Sequence, residues 1–316
     1  LLDISTIKKI DKSSMHKIYD DWADMAADSY RKKHDPIDCH DIDHIVFAGM
    51  GGSGAVGDLF SAILSKTKMH VTLVKGYILP KTIDANTLVV TISISGNTTE
   101  TLTVLNSAKK LDCKIVAFSS GGKMEQFCKK NHIEFRNFPM THSPRTSFIR
   151  YVYSILATLN SIIPVKKSDI SESLDGLENL SKKINSSNLT RTNPSLDLAE
   201  WLSGIPMVYY PWGLQAAAIR FKSSLQENAK SHAIIEDVIE ACHNGIMSWE
   251  RQSAVRPMLL QGHDDYIKTK ERWKIVKDYF KENKIDYKEV HSVQGSILTK
   301  LVCLIYMLDY ASVYFA

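Results

Sequence analysis

The chain has 316 residues, 44% of them hydrophobic, with 39 basic against 35 acidic residues and a net charge of +4. That length suits two domains of about 150 residues each, and the composition excludes global disorder. The two charge signs are interleaved without a basic block that would line a nucleic-acid groove, so no nucleic-acid partner is expected. The five cysteines, Cys39, Cys113, Cys128, Cys242 and Cys303, form no C-x-x-C pair and no cluster with histidine, which argues against a disulfide framework and against a structural metal. Residues 1–14 are polar and charged, and no apolar run approaches the roughly 18 residues that span a bilayer. A cytoplasmic protein without a membrane partner is the expectation.

In chain order, Met15, Ile18, Tyr19, Trp22, Met25 and Ala26 recur at three- and four-residue spacing, which predicts a leading helix over 11–32 with one buried face. The segment HIVFA at 44–48 reads as a buried strand, followed by glycines and a helix that runs to Leu64. Further strands are predicted at 71–74, 87–92 and 114–118, with helical patterns between most of them. Strands that alternate with helices imply a doubly wound parallel sheet. An apolar helix over 148–163 ends at Pro164, and 166–193 is polar and rich in Ser and Asn, so a domain boundary is placed near Pro164. The second half repeats the theme, with strands at 206–210 and 255–260 and a helix at 213–230. A long apolar helix at 296–316 is expected to pack against a sheet. The predicted fold class is α/β, with two doubly wound parallel-sheet sandwich domains at 1–164 and 165–316.

In open parallel sheets, ligands bind outside the carboxyl ends of the strands, where the strand order reverses. The loops after the first and third strands are therefore the candidates. The first, GMGGSG at 49–54, has four residues without a Cβ, so its backbone can approach a ligand, and the helix it opens offers free N–H groups to an anion. Ser53 adds a hydroxyl. The same segment fits G-x-G-x-x-G, so a dinucleotide site is an alternative. A nicotinamide site wants an acidic residue after the second strand, where Lys75 and Gly76 stand; NADP would tolerate the lysine, and an NAD(P)-dependent oxidoreductase stays open on this ground. The second loop, SISGNTTE at 93–100, sets the hydroxyls of Ser93, Ser95, Thr98 and Thr99 around a glycine just before a helix. Helix capping would account for Thr98 and Thr99, with Glu100 in the first turn, but not for Ser93 and Ser95.

The pattern S-x-S-G-x-T-x-E-T at 93–101, after a strand, resembles the signature of SIS (sugar isomerase) domains, which bind phosphosugars. Together with Gly49-x-Gly-Gly-Ser-Gly, Pro144-Arg145, the ENAK segment at 227–230 and His243-Asn244, it makes the chain resemble the bifunctional phosphoglucose/phosphomannose isomerase family along nearly its whole length. The resemblance implies two SIS domains per subunit, a homodimer, a phosphosugar substrate and chemistry without a metal or cofactor. It implies that Gly52, Ser53, Ser93, Ser95 and Thr98 hold the substrate.

Moving a carbonyl between C1 and C2 requires ring opening, removal of the C2 proton and its return to C1 through an enediolate. A partly buried carboxylate suits both transfers, because desolvation raises its proton affinity. By resemblance, Glu227 is that base, His243 opens the ring from the partner subunit, and Arg145 stabilises the enediolate charge. Without the resemblance, Glu227 reads as an exposed helical glutamate paired with Lys230 or Lys222, His243 as one of eleven ordinary histidines, and Arg145 as a loop arginine. The chain departs from the family pattern at Gln226, where Asn is usual, and at Gly245, where Glu is usual. Family members also continue past the segment matching 309–316, and a lysine in that extension contributes to ring opening; Lys300 is expected to be a helix-surface residue instead. The functions weighed are a glucose 6-phosphate isomerase that also takes mannose 6-phosphate, a non-catalytic phosphosugar sensor, and the oxidoreductase.

Overall fold

The computed structural model describes residues 2–37 and 39–316. The chain divides into two compact units, one of residues 21–167 and one that joins 1–20 to 168–316. The helical stretch read at 11–32 is thus shared between them. It is interrupted near Asp21, with α1 (Ile4–Ile10) and α2 (Met15–Asp20) in the discontinuous unit and α3 (Trp22–Arg31) in the other.

The unit 21–167 holds β1 (His44–Ala48), α4 (Gly51–Leu64), β2 (His70–Val74), β3 (Thr87–Ser93) and α5 (Thr99–Ala108). It continues with β4 (Lys114–Ser119), α6 (Gly122–Asn131), β5 (Glu134–Asn137) and α7 (Phe148–Thr158). All pairings in its sheet are parallel, in the order β2-β1-β3-β4-β5. The chain moves one way from β1 to β2 and the other way from β3 onward. Right-handed crossovers then place helices on opposite faces, which is the doubly wound arrangement. The central strands β1 and β3 are buried along their whole length, because both faces are covered by helices and a parallel strand there reads as an unbroken apolar run. The helix expected over 148–163 ends at Thr158, and 159–163 turn before Pro164.

The other unit carries α8 (Lys167–Ile184), α9 (Pro194–Trp201), β6 (Ile205–Tyr210), α10 (Gln215–Ser224), β7 (Ile234–Asp237), α11 (Val238–Ala241), β8 (Val255–Gln261), α12 (Ile267–Glu282), β9 (Lys288–His291) and α13 (Ile297–Phe315). Its sheet is also parallel, ordered β7-β6-β8-β9. The polar segment after Pro164 is mostly α8, whose residues Ile170, Leu177 and Ile184 recur at the same seven-residue interval on one buried stripe. Helix α13 is long and apolar enough to cross a membrane by length and composition, contrary to the reading that no run approaches that length. It is mostly buried within the protein, and its main partners are α9, α10 and the turn at Leu225–Ala229, so it fills a helical layer rather than lying chiefly on the sheet.

Candidate active site

In the unit 21–167, the strand order reverses between β1 and β3, and both hydroxyl-bearing loops leave the sheet at this point. After β1 the chain enters α4 within three residues. Gly54 is required there, since a Cβ would lie 2.8 Å from the Gly49 carbonyl oxygen. Gly52 is half-buried in the first turn, and Ser53 is buried. The Ser53 Oγ accepts the Ile94 N–H at 3.2 Å, which ties the first loop to the second.

In the second loop, the buried Ser93 donates to the Thr98 Oγ at 2.9 Å and accepts the Thr98 N–H at 3.4 Å. Thr98 is the N-cap of α5, yet its side chain makes no capping bond. Capping therefore does not explain it, and its hydroxyl belongs with Ser93. The half-buried Ser95 accepts the Asn97 N–H at 3.3 Å. The sequence reading missed a third loop. Ser120, after β4, donates through both N–H (3.1 Å) and Oγ (2.6 Å) to the Ile94 carbonyl, and Asn97 bridges the Ser95 carbonyl to the Lys123 N–H. The SSGG run at 119–122, following a strand, was its available signal. These bonds hold Ser53, Ser93, Ser95 and Thr98 together at the end of the sheet.

Lys75 lies at the end of β2, where a dinucleotide site needs a ribose-binding acid. Its Nζ is 2.6 Å from the buried carboxylate of Asp58 on α4. Burial pushes the Asp58 carboxyl above the usual carboxylate range, and the Lys75 ammonium pulls it back. Asp58 is thus engaged in an internal pair.

Arg145 is half-buried in a tight loop before α7. Thr146 and Ser147 next to it are buried and bond back to Thr141 and Ser143, at 2.5 Å from the Thr146 Oγ to the Thr141 carbonyl and 2.9 Å from the Ser147 Oγ to the Ser143 carbonyl. The Trp22 indole donates to the Thr146 carbonyl at 2.9 Å, so the loop is fixed from two sides.

Glu227 and His243 belong to the other unit. Glu227 is exposed and sits in a single π-turn, Leu225–Ala229, that continues α10 and ends at Lys230 with φ of 56°. Such turns inside helices recur at functional sites. Lys230 donates to the Glu227 carbonyl oxygen at 2.6 Å. His243 is exposed just after α11, its N–H bonded to the Glu240 carbonyl at 2.9 Å, and Asn244 donates to the Glu240 carboxylate at 3.3 Å. At Gly245, a Cβ would lie 2.5 Å from the Glu236 Oε2. The space left by the missing side chain is filled by a carboxylate from β7, whose proton affinity is raised by burial and by Glu240 and Asp237. Lys300 is not a free surface residue: its Nζ pairs with Asp264 at 3.0 Å and its side chain is only 15% exposed.

Residues 39–162 match the SIS domain, and residues 191–316 match the bacterial phospho-glucose isomerase C-terminal SIS domain. The bifunctional phosphoglucose/phosphomannose isomerase of Caldicellulosiruptor bescii is 31% identical over 292 residues, covering 89% of this chain and 85% of that protein. The D-glucosamine-6-phosphate 4-epimerase of Sulfolobus acidocaldarius is 27% identical over 240 residues, covering 75% of this chain and 74% of that protein. The crystal structure of a hypothetical protein from Thermus thermophilus shares the fold, with a TM-score of 0.71 at 14% identity over 94% of this chain and 84% of that one. The relative from Caldicellulosiruptor spans most of both chains, and the two SIS matches fall one on each parallel sheet, so the chain belongs to the bifunctional phosphoglucose/phosphomannose isomerase family.

Proposed function

We propose that this protein is an aldose-ketose isomerase that interconverts glucose 6-phosphate and fructose 6-phosphate, and mannose 6-phosphate with the same ketose. The observation that carries this reading is the hydroxyl cluster at the switch point of the first sheet, in a chain of this family. Ser53, Ser93, Ser95 and Thr98 meet at the carboxyl ends of β1 and β3, beside the first turns of α4 and α5, where backbone N–H groups and the positive dipole end favour a phosphate dianion. Gly52 gives the phosphate access to the backbone of the first loop. The anchor is assigned to the unit 21–167, and the family motif assigns proton transfer to Glu227 and His243.

In the proposed mechanism, His243 exchanges a proton with the ring oxygen near neutral pH and opens the sugar. Glu227 then removes the C2 proton and returns it to C1, and the Arg145 guanidinium stabilises the enediolate oxygen that gains charge between the two transfers. Both Glu227 and His243 are exposed on the single chain. A homodimer in which the partner contributes His243 would cover both of them. No metal or cofactor has a role in this scheme. Lys75 rather than an acid follows β2, and its ammonium is paired with Asp58, which disfavours the oxidoreductase reading.

Replacing Glu227 with Gln tests the assignment. We expect turnover to fall by roughly 10²–10⁴-fold, the usual worth of a general base, while the affinity for fructose 6-phosphate in calorimetry stays near wild type. Wild-type turnover would remove Glu227 from the role. A 4-epimerase arm, run with glucosamine 6-phosphate, separates this chemistry from that named for the Sulfolobus relative.

A further inference from the structure

Glu227 does not stand on an ordinary helix. The π-turn around it contains one residue more than an α-turn and has poorer backbone geometry, so contacts outside its own backbone must hold it. Those contacts come from α13. Arg220, buried on α10, forks onto Asp309, which is fully buried on α13: Nε lies 3.0 and 3.2 Å from the two carboxylate oxygens and Nη2 lies 2.7 Å from one of them. Ser224, the last residue of α10, donates to the other side of the same carboxylate at 2.5 Å, and Tyr19 of α2 reaches it at 3.4 Å. Asn228, directly after Glu227, donates to the Ser312 Oγ at 2.9 Å, and Ser312 in turn donates to the Asp309 carbonyl at 2.6 Å. The turn is therefore pinned to α13 on both sides of Glu227, three residues before it and one after.

A buried ion pair is a poor stabiliser, because the cost of desolvating two charges commonly matches their attraction and apolar residues of similar volume do as well. The pair calls for a role other than stability, and the charge pattern offers one. Burial is the largest influence on Arg220 and opposes its charge, but Asp309, Tyr19 and Glu227 together outweigh it, so the guanidinium holds its proton more firmly than usual. Glu227 lies near enough for its charge to act on Arg220. The groups that meet around the turn are Arg220 from α10, Lys230 at its end, Asp309 from α13 and Tyr19 from α2.

We propose that Arg220, Asp309 and Ser224 are positioning residues for Glu227, fixing the π-turn in register and setting the net charge that its carboxylate faces. This rests on the reading of Glu227 as the proton-transfer base. With Asp309 in place the guanidinium charge beside the turn is offset and Ser224 is held. Without it, a buried cation is left uncompensated next to the base and the turn loses its anchor on α13.

The test compares the full-length Asp309→Asn, Ser224→Ala and Glu227→Gln variants by circular dichroism, by fructose 6-phosphate kinetics and by the pH profile of kcat/KM. Asp309→Asn is expected to lower kcat about tenfold or more with KM within about twofold, and to move the acid limb of the profile downward. A folded Asp309→Asn with wild-type kcat and an unmoved acid limb overturns the proposal, provided Glu227→Gln is inactive. If Asp309→Asn does not fold, Ser224→Ala decides: a fall in kcat of about threefold at constant KM supports the proposal, and wild-type kinetics overturn it. If Glu227→Gln itself turns over normally, the base assignment fails, and the positioning role fails with it.

Discussion

Gly96 sits at the centre of the anchor with φ of +70°, and a Cβ on it would fall 1.9 Å from the Gly121 carbonyl oxygen and 2.7 Å from the Ser119 Oγ. In Gly96→Ala the obstacle is backbone, which cannot swing aside as a side-chain tip can. The loop after β4 would have to retreat by more than an ångström while Ser120 still holds the Ile94 carbonyl and the Met124 N–H still holds the Gly96 carbonyl at 2.9 Å. Left-handed backbone costs a residue with a Cβ about 1–2 kcal/mol, and forced overpacking adds about 1–3 kcal/mol, for a total of roughly 2–5 kcal/mol. At about 2–4 °C per kcal/mol, the Tm should fall by roughly 4–20 °C. Fructose 6-phosphate affinity, read by calorimetry below the new Tm, should drop about tenfold or more, since each hydrogen bond to a charged group is worth about 1.5–3 kcal/mol. A Tm within about 1 °C of wild type, with unchanged affinity, would refute both the steric argument and the anchor.

Ser93→Ala removes a buried hydroxyl that meets Thr98 and should raise KM for fructose 6-phosphate by about 10–100-fold with kcat changed far less, because anchoring acts on ground and transition states alike; a selective loss of kcat would contradict the anchor role. Lys75→Met leaves Asp58 buried without its ammonium. A carboxyl whose folded-state proton affinity is raised destabilises progressively as pH climbs from the unfolded value near 4 through its own higher value. The variant should match wild type near pH 4 and lose about 1–3 kcal/mol by pH 7, a figure reduced because Lys75 is partly exposed. Chemical denaturation at the two pH values checks this, and a pH-independent difference would contradict it.

The central strands were legible because burial on both faces favours a run of apolar and β-branched residues, as in HIVFA at β1 and the seven buried residues TLVVTIS of β3. The strands that escaped, β5, β7 and β9, are edge strands of four residues with sequences EFRN, IIED and KEVH, each with one neighbour and a half-polar face, so composition marks them no more than a loop. The two hydroxyl loops were readable because glycine and hydroxyl residues after a strand have few other reasons to cluster. The π-turn under Glu227 was not, since nothing in LQENA distinguishes it from an α-turn; only the bonds from Ser224 and Asn228 to a helix more than eighty residues later reveal it. Gly245 reads in sequence as a lost carboxylate, and only the fold shows Glu236 occupying that space.

The most direct measurement incubates the purified protein with fructose 6-phosphate in deuterated water and follows the sugar phosphates by NMR. The account predicts that glucose 6-phosphate forms with deuterium at C2, that mannose 6-phosphate appears by the same route, and that Glu227→Gln abolishes both. Fructose 6-phosphate that persists unchanged in the presence of folded wild-type protein would contradict it.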